Sequence, residues 1–218
     1  MKSYDTVIFD LDGTLLDTLE DLMLSVNYAL SRFTDVQRSL EEVRGFVGNG
    51  VRNLMRLSLP GGEDNPDFER AFALFREHYA IHCRDHTRPY PGIMDMLHAL
   101  DRRGLRMAIV SNKGDREVKE MNTVFFGGLC AAALGERPGV RRKPAPDSLL
   151  EAMKELSSAP EHTLYVGDSE VDVLTAKNAG VDCLSVTWGF RTREHLERSG
   201  ASRFINSPAQ LLSLPELP

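Results

Sequence analysis

The sequence predicts an α/β protein, and three observations carry that expectation. From about residue 90 onward, short β-branched or apolar runs alternate with stretches of helical periodicity. Three of the runs end in a polar residue, namely Asp10, Ser111 and Asp168. Between the first run and the rest lies a long stretch that is helical in pattern and shows no convincing strand. Strands alternating with helices imply parallel pairing with helices on both faces of the sheet.

Taken in order, Tyr4–Asp10 is a β-branched and aromatic run ending in acid, and it predicts a buried strand. Asp17 stands three residues before Glu20, which predicts a capping box with Asp in the Ser/Thr place. Leu19, Leu22, Met23, Val26, Leu30 and Phe33 then share one helical face. Ser39 and Glu42 repeat the start signal more weakly. Gly48-Asn49-Gly50 interrupts the pattern, and Val51, Leu54 and Met55 resume it. Phe68, Ala71, Phe72, Phe75 and Tyr79 make a further stripe. The character changes at Pro89-Tyr90-Pro91-Gly92. Ile93, Met96, Leu97 and Leu100 mark a helix stopped by Gly104, and Leu105–Val110 is the next strand. A weaker strand falls near Ala131–Leu134, where alanine stands in place of the expected β-branched residues. A helix carries Leu149, Leu150, Met153 and Leu156. A strand at Thr163–Val166, a helix over 171–180 and a strand at Cys183–Val186 follow. The expected architecture is a Rossmann-like parallel-sheet core of residues 1–15 and 88–218, with an inserted all-helical domain over 16–87.

The 218 residues suffice for one good core and a small second unit. Hydrophobic residues at 42% with 27% charged exclude wholesale disorder. A net charge of −6 disfavours binding to nucleic acid, whose phosphates select excess Lys and Arg. Three scattered cysteines, Cys83, Cys130 and Cys183, make neither a disulfide framework nor a CxxC metal site. They read as buried thiols of a reducing cytosol. Asp5, Asp10 and Asp12 argue against an N-terminal signal peptide. The most apolar stretch, 124–134, is far short of the ~20 residues of a membrane span. A soluble, cytoplasmic protein is expected; the oligomeric state is left open.

Open parallel sheets bind ligands at the carboxyl edge, where Asp10, Ser111 and Asp168 are expected. Asp10 and Asp12 leave their strand on the same side, because strand side chains alternate with period two. Paired acids repel unless a cation or shared proton relieves them. An oxygen-ligated divalent cation, with one acid free for chemistry, is the natural solution. Asp168 adds a carboxylate at a second strand end, and Asp172 follows in the first turn of the next helix, where it fits a supporting role. Ser111-Asn112-Lys113 offers a hydroxyl and an amide opening a helix, suited to phosphate oxygens. Lys143 stands in Lys143-Pro144-Ala145-Pro146, a lysine before a helix whose charge offsets both a phosphoryl group and the acids.

Asp10-Leu11-Asp12-Gly13-Thr14, Ser111-Asn112, Lys143-Pro144-x-Pro146 and Gly167-Asp168-Ser169-x-x-Asp172 resemble, in order, the four motifs of the haloacid dehalogenase-like phosphatases. The helical insertion resembles that superfamily's cap. Leu15-Leu16-Asp17-Thr18, Gly48-Asn49-Gly50, Pro89-Tyr90-Pro91-Gly92 and Trp188-Gly189-Phe190 are most similar to the phosphoglycolate phosphatase branch. The resemblance implies that Asp10 is a nucleophile forming an aspartyl-phosphate, with Asp12 as acid and then base. It implies Mg²⁺ held by the Asp10 side chain, the Asp12 backbone carbonyl, Asp168 and waters. Ser111, Asn112 and Lys143 are then expected to bind the phosphoryl group of a small phosphorylated metabolite, 2-phosphoglycolate first. A β-phosphoglucomutase-like sugar-phosphate mutase and a phosphate-binding regulatory protein without turnover are the alternatives.

Other features read differently. His78, His82 and His86 at helical spacing lack the acid or cysteine pattern of a zinc site. Glu170 reads as a helix-start acid, and Arg141-Arg142 as a surface loop. Hinges are expected near 16–18 and 85–89. Asn49 and Arg52 are expected to face the leaving group and to help set specificity.

Overall fold

The computed structural model describes residues 3–218. By its internal contacts the chain divides into two compact units, one of residues up to Leu16 with Pro89–Pro218, the other of Asp17–Arg88.

In the first unit β1 (Thr6–Phe9) is followed by β2 (Leu16–Asp17), whose second residue already belongs to the other unit. The Asp17–Arg88 unit carries four helices: α1 (Leu19–Leu30), α2 (Leu40–Phe46), α3 (Gly50–Ser58) and α4 (Phe68–His82). α1 packs along α4 through Leu22, Val26, Ala29 and Leu30 against Ala71, Phe75 and Tyr79, all buried. Each buried Leu, Val and Phe side chain among these contributes roughly 1.5–3 kcal/mol on leaving water. Ser39 and Glu42 form the full capping box, with Glu42 accepting from Ser39 N at 2.8 Å. The stronger-looking pair, Asp17 and Glu20, forms none. Asp17 is still extended in β2, so Thr18 is the cap residue, and Asp17 Oδ1 accepts only from Leu19 N at 3.3 Å.

The chain returns through β3 (Arg88–Pro89), which pairs with β2 in a two-stranded ribbon. Then come α5 (Ile93–Arg102), β4 (Arg106–Gly114), α6 (Asp115–Phe126), β5 (Ala132–Glu136) and α7 (Asp147–Glu155). After these, β6 (Thr163–Gly167), α8 (Glu170–Ala179), β7 (Asp182–Val186), α9 (Arg193–Arg198), β8 (Phe204–Ile205) and α10 (Pro208–Leu211) complete the unit. Six strands form one sheet in the order β5-β4-β1-β6-β7-β8, every neighbouring pair parallel. The order reverses at β1, between β4 and β6, and this is where open sheets bind ligands.

One expectation about β4 needs correction, whereas the strand expected near Ala131–Leu134 is present as β5. Ser111-Asn112-Lys113 does not open a helix: β4 runs through it to Gly114, and α6 starts at Asp115. The extension survives because β5 keeps pairing with β4 beyond a register shift between Val110 and Gly114. The alanine-rich segment is a real strand. Ala132, Ala133 and Leu134 are buried, and α6 and α7 pack against β5. Close packing, rather than β-propensity, selects small residues there. Gly135 is the extreme case, since a Cβ on it would lie 2.5 Å from Lys113 O.

Candidate active site

The site grows from the end of β1. Asp10 N donates to Val166 O at 2.8 Å, which holds the chain against β6 for one more residue. The following loop folds back on itself: Leu15 N and Leu16 N donate to Leu11 O at 2.9 and 3.0 Å. Gly13, at φ +86°, turns the loop where a Cβ would collide with the Asp168 carboxylate.

At the centre is a buried lysine. Lys143 Nζ donates to Asp10 Oδ1 at 2.8 Å, Asp172 Oδ1 at 2.7 Å and Tyr165 Oη at 2.9 Å, with Val110 O at 3.2 Å. Tyr165 Oη in turn donates a hydrogen bond to Asp172 Oδ1 at 2.9 Å. The backbone of Lys143 is held by Asn112, which donates to Lys143 O at 3.0 Å and accepts from Lys143 N at 2.9 Å. The Asn112 amide therefore positions the lysine, a role the sequence reading had not separated from phosphate contact. Ser111 Oγ accepts from Lys113 N at 3.2 Å, which leaves its hydroxyl proton for another acceptor.

Asp172 belongs to a capping box at the start of α8. Its Oδ2 accepts from Ser169 N at 3.1 Å and Ser169 Oγ at 2.6 Å. Both its oxygens are thus held by the protein. Asp168 Oδ2 accepts from Phe190 N at 2.7 Å, and its Oδ1 has only Thr14 Oγ1 at 3.3 Å. Among the described residues no hydrogen bond reaches Asp10 Oδ2. Asp12 is paired apart from this group, with both its oxygens facing Lys113 Nζ at 2.9 and 3.2 Å.

The carboxyl groups feel their confinement. Burial pushes Asp168 up to about 7, helped by the Asp172 charge and opposed by the Phe190 amide. Burial also drives Asp10 well above the usual carboxylate range, Lys143 pulling it back and Asp172 and Asp168 adding to the rise. Burial acts the same way on Asp172, but there the Lys143 charge and the hydrogen bonds win and hold it low. Asp10, Asp168 and Asp172 each offer an oxygen within 4.8 Å of the others. Hard oxygen donors this close, two of them pushed toward protonation by burial, fit a divalent cation. Asp172 is spent on Lys143, Tyr165 and Ser169, so its part is to hold the lysine and the start of α8.

Several partnerships around the site are invisible to residue type alone. Lys113 stands in the Ser111-Asn112-Lys113 triplet, yet nothing local marks its partner as Asp12, 101 positions away. Tyr165 read as strand core. Phe190 contributes through its backbone, which no side-chain pattern reveals. Trp188 Nε1 donates to Thr14 O at 3.0 Å, tying the loop after β7 to the loop after β1. Glu170 pairs with Arg191 at 2.9 Å and His195 at 3.2 Å, and so is no ligand candidate here. Arg141 pairs with Asp147 on the surface. His78 stacks between Tyr28 and His82, and no metal-like cluster includes these histidines among the described residues.

In the Asp17–Arg88 unit Asn49 precedes α3, without a side-chain cap bond. Arg52 is paired with Glu63 at 2.9 Å and Glu69 at 2.5 Å, over the rings of Phe68 and Phe72.

A parallel α/β sheet with a carboxylate nucleophile candidate at its central strand end, a buried lysine and a crowd of acids defines a hydrolase class. The chain belongs to the haloacid dehalogenase-like hydrolase family, whose sequence profile matches residues 7–186. A protein of Pseudomonas aeruginosa named phosphoglycolate phosphatase 1 is 38% identical over 213 residues, 94% of this chain and 78% of that one. A phosphoglycolate phosphatase of Pseudomonas putida is 36% identical over 212 residues, with the same coverage. Among solved structures, a predicted phosphoglycolate phosphatase from Haemophilus somnus superposes with a TM-score of 0.90 at 28% identity, covering 98% of both chains.

Proposed function

We propose that this chain is a phosphoric monoester hydrolase whose principal substrate is 2-phosphoglycolate and whose metal is Mg²⁺. The observation that carries the reading is Asp10: a buried carboxylate held on one oxygen by Lys143, with its other oxygen open. The named relatives supply the choice of substrate.

Asp10 attacks phosphorus, and the bond to the leaving oxygen breaks as Asp12 delivers a proton to it. Water then attacks the aspartyl-phosphate while Asp12 takes the water's proton, which restores the Asp10 carboxylate and the protonated Asp12 and releases phosphate. Lys143 and Ser111 hold the phosphoryl oxygens, since phosphoryl transfer requires mainly positioning and charge neutralisation. Asp10, the Asp12 backbone carbonyl and Asp168 would hold Mg²⁺, which when bound offsets the acids and the charge developing on the phosphoryl group. Asn49 and Arg52 select among leaving groups. No helix is long and apolar enough to cross a membrane among the described residues. A cytoplasmic location fits Cys83, Cys130 and Cys183, which form no disulfide among the described residues, and cell fractionation checks it.

Phosphate release from 2-phosphoglycolate, assayed with and without EDTA, tests the reading. Asp10→Asn should abolish turnover with the circular dichroism spectrum unchanged. A turning-over Asp10→Asn enzyme would sink the mechanism. Formation of a sugar bisphosphate without net phosphate release would favour the mutase, and binding of phosphate without turnover the regulatory protein.

A further inference from the structure

Lys113 has no part in the chemistry as described so far, yet few lysines are so confined. Its side chain is 2% exposed, and its ammonium faces both oxygens of Asp12, itself 16% exposed. An ammonium taken out of water to that degree requires an anionic partner, and Asp12 supplies it. The backbone beneath it is equally constrained. Ser111 Oγ holds Lys113 N, and Lys113 O lies so close to Gly135 that no side chain fits between β4 and β5 there. The register shift between Val110 and Gly114 brackets the same residue. Lys113 is therefore built into the sheet end as a fixed donor.

The geometry points to Lys113 as a positioning residue that orients the Asp12 carboxyl group for proton transfer to the leaving oxygen. This rests on the phosphatase reading above. An ammonium has three donors and no acceptor, so the proton of a protonated Asp12 cannot point toward it. The nearer oxygen, at 2.9 Å, stays an acceptor, and the carboxyl proton is steered to the side away from Lys113. As the phosphorus–oxygen bond breaks, its electron pair passes to the leaving oxygen, which takes that proton from Asp12. Asp12 is left as a carboxylate between the same donors.

The test exploits the leaving group. Glycolate leaves as an alkoxide and needs the proton; 4-nitrophenolate is stable enough to leave without it. kcat/KM reports steps through leaving-group departure, and its ratio between the two esters does not depend on how much of a variant is folded. Lys113→Met should lower kcat/KM for 2-phosphoglycolate by about tenfold or more, and that for 4-nitrophenyl phosphate by less than about threefold. Lys113→Arg, which keeps a charged donor, should hold the ratio nearer to wild type. In an Asp12→Asn background Lys113→Met should leave the ratio unchanged. Equal losses on both esters, or a full further change of ratio in the Asp12→Asn background, would overturn the inference alone. A wild-type enzyme that releases phosphate from neither ester would overturn the proposed function, and this inference with it.

Discussion

Lys143 and Asp10 lie 133 positions apart in the sequence and meet at 2.8 Å with both side chains buried. Asp172 completes the contact at 2.7 Å, so one ammonium sits between two carboxylates and a phenol. The cluster is a structural element, and in the proposed function the same ammonium meets the phosphoryl group. A positive charge of this kind is already desolvated and aimed before substrate arrives, so little reorganisation accompanies the reaction.

Lys143→Met should therefore fail twice. Removing one member of a buried ion pair costs about 3–5 kcal/mol, because Asp10 and Asp172 are left facing each other. Loss of a preorganised donor to the phosphoryl group should lower kcat by about 10²–10³-fold. Urea unfolding and steady-state kinetics measure the two effects separately. A variant of wild-type stability and kcat would contradict the assigned place of this residue.

Stability should depend on pH through Asp168. Burial and the neighbouring Asp172 charge raise its folded value to about 7, against about 3.9 for an unfolded chain. The folded state then holds the proton more tightly. Its contribution is fully present below about pH 4 and is lost as pH rises through about 7. The metal-free unfolding temperature should fall over that window, and Asp168→Asn should flatten the fall. Mg²⁺ should raise the unfolding temperature more at pH 8 than at pH 5, which differential scanning fluorimetry measures directly.

Within the Asp17–Arg88 unit, Asp21 on α1 accepts from His86 N at 2.9 Å, Thr87 N at 2.9 Å and Thr87 Oγ1 at 2.8 Å. It is 1% exposed, so Asp21→Ala strands buried donors at the point where the chain leaves the unit. The expected cost is about 1–3 kcal/mol. Hydrogen exchange should show faster opening at residues 86–87 than in the wild type; unchanged exchange there would refute the assignment of Asp21 as the clasp.

Asn49→Ala and Arg52→Ala test selectivity. Arg52 is held by Glu63 and Glu69 in an exposed network, so its removal should change stability little. Each variant should alter the ratio of KM values across a panel of small phosphate esters several-fold. A panel with unchanged KM throughout would remove both residues from the specificity assignment.

Much of the site was legible from single residues at strand ends. Asp10, Ser111 and Asp168 stand out because polar residues after apolar runs are expensive to place anywhere but at a sheet edge, and Lys143 stands out by its Lys-Pro-x-Pro pattern before a helix. The same logic misjudged the segment after Val110. Ser111-Asn112-Lys113 carries helix-opening residue types, but pairing with β5 outweighs that local preference and keeps it extended. Asp17 is the parallel case on the other unit: a good capping residue that the β2–β3 ribbon keeps out of the cap position.

The sequence by itself determined the parallel α/β core, the helical insertion and the identity of the acids that crowd the sheet edge. Each of these follows from periodicity or from residue type at a fixed spacing, which are local properties. The tertiary structure decided which charge answers which. Lys143 was bound to Asp10 and Asp172, Lys113 to Asp12, Phe190 N to Asp168, and Asn112 to the lysine backbone. Those pairings join residues far apart in the chain, and only the stacking of β5, β4, β1 and β6 sets their distances.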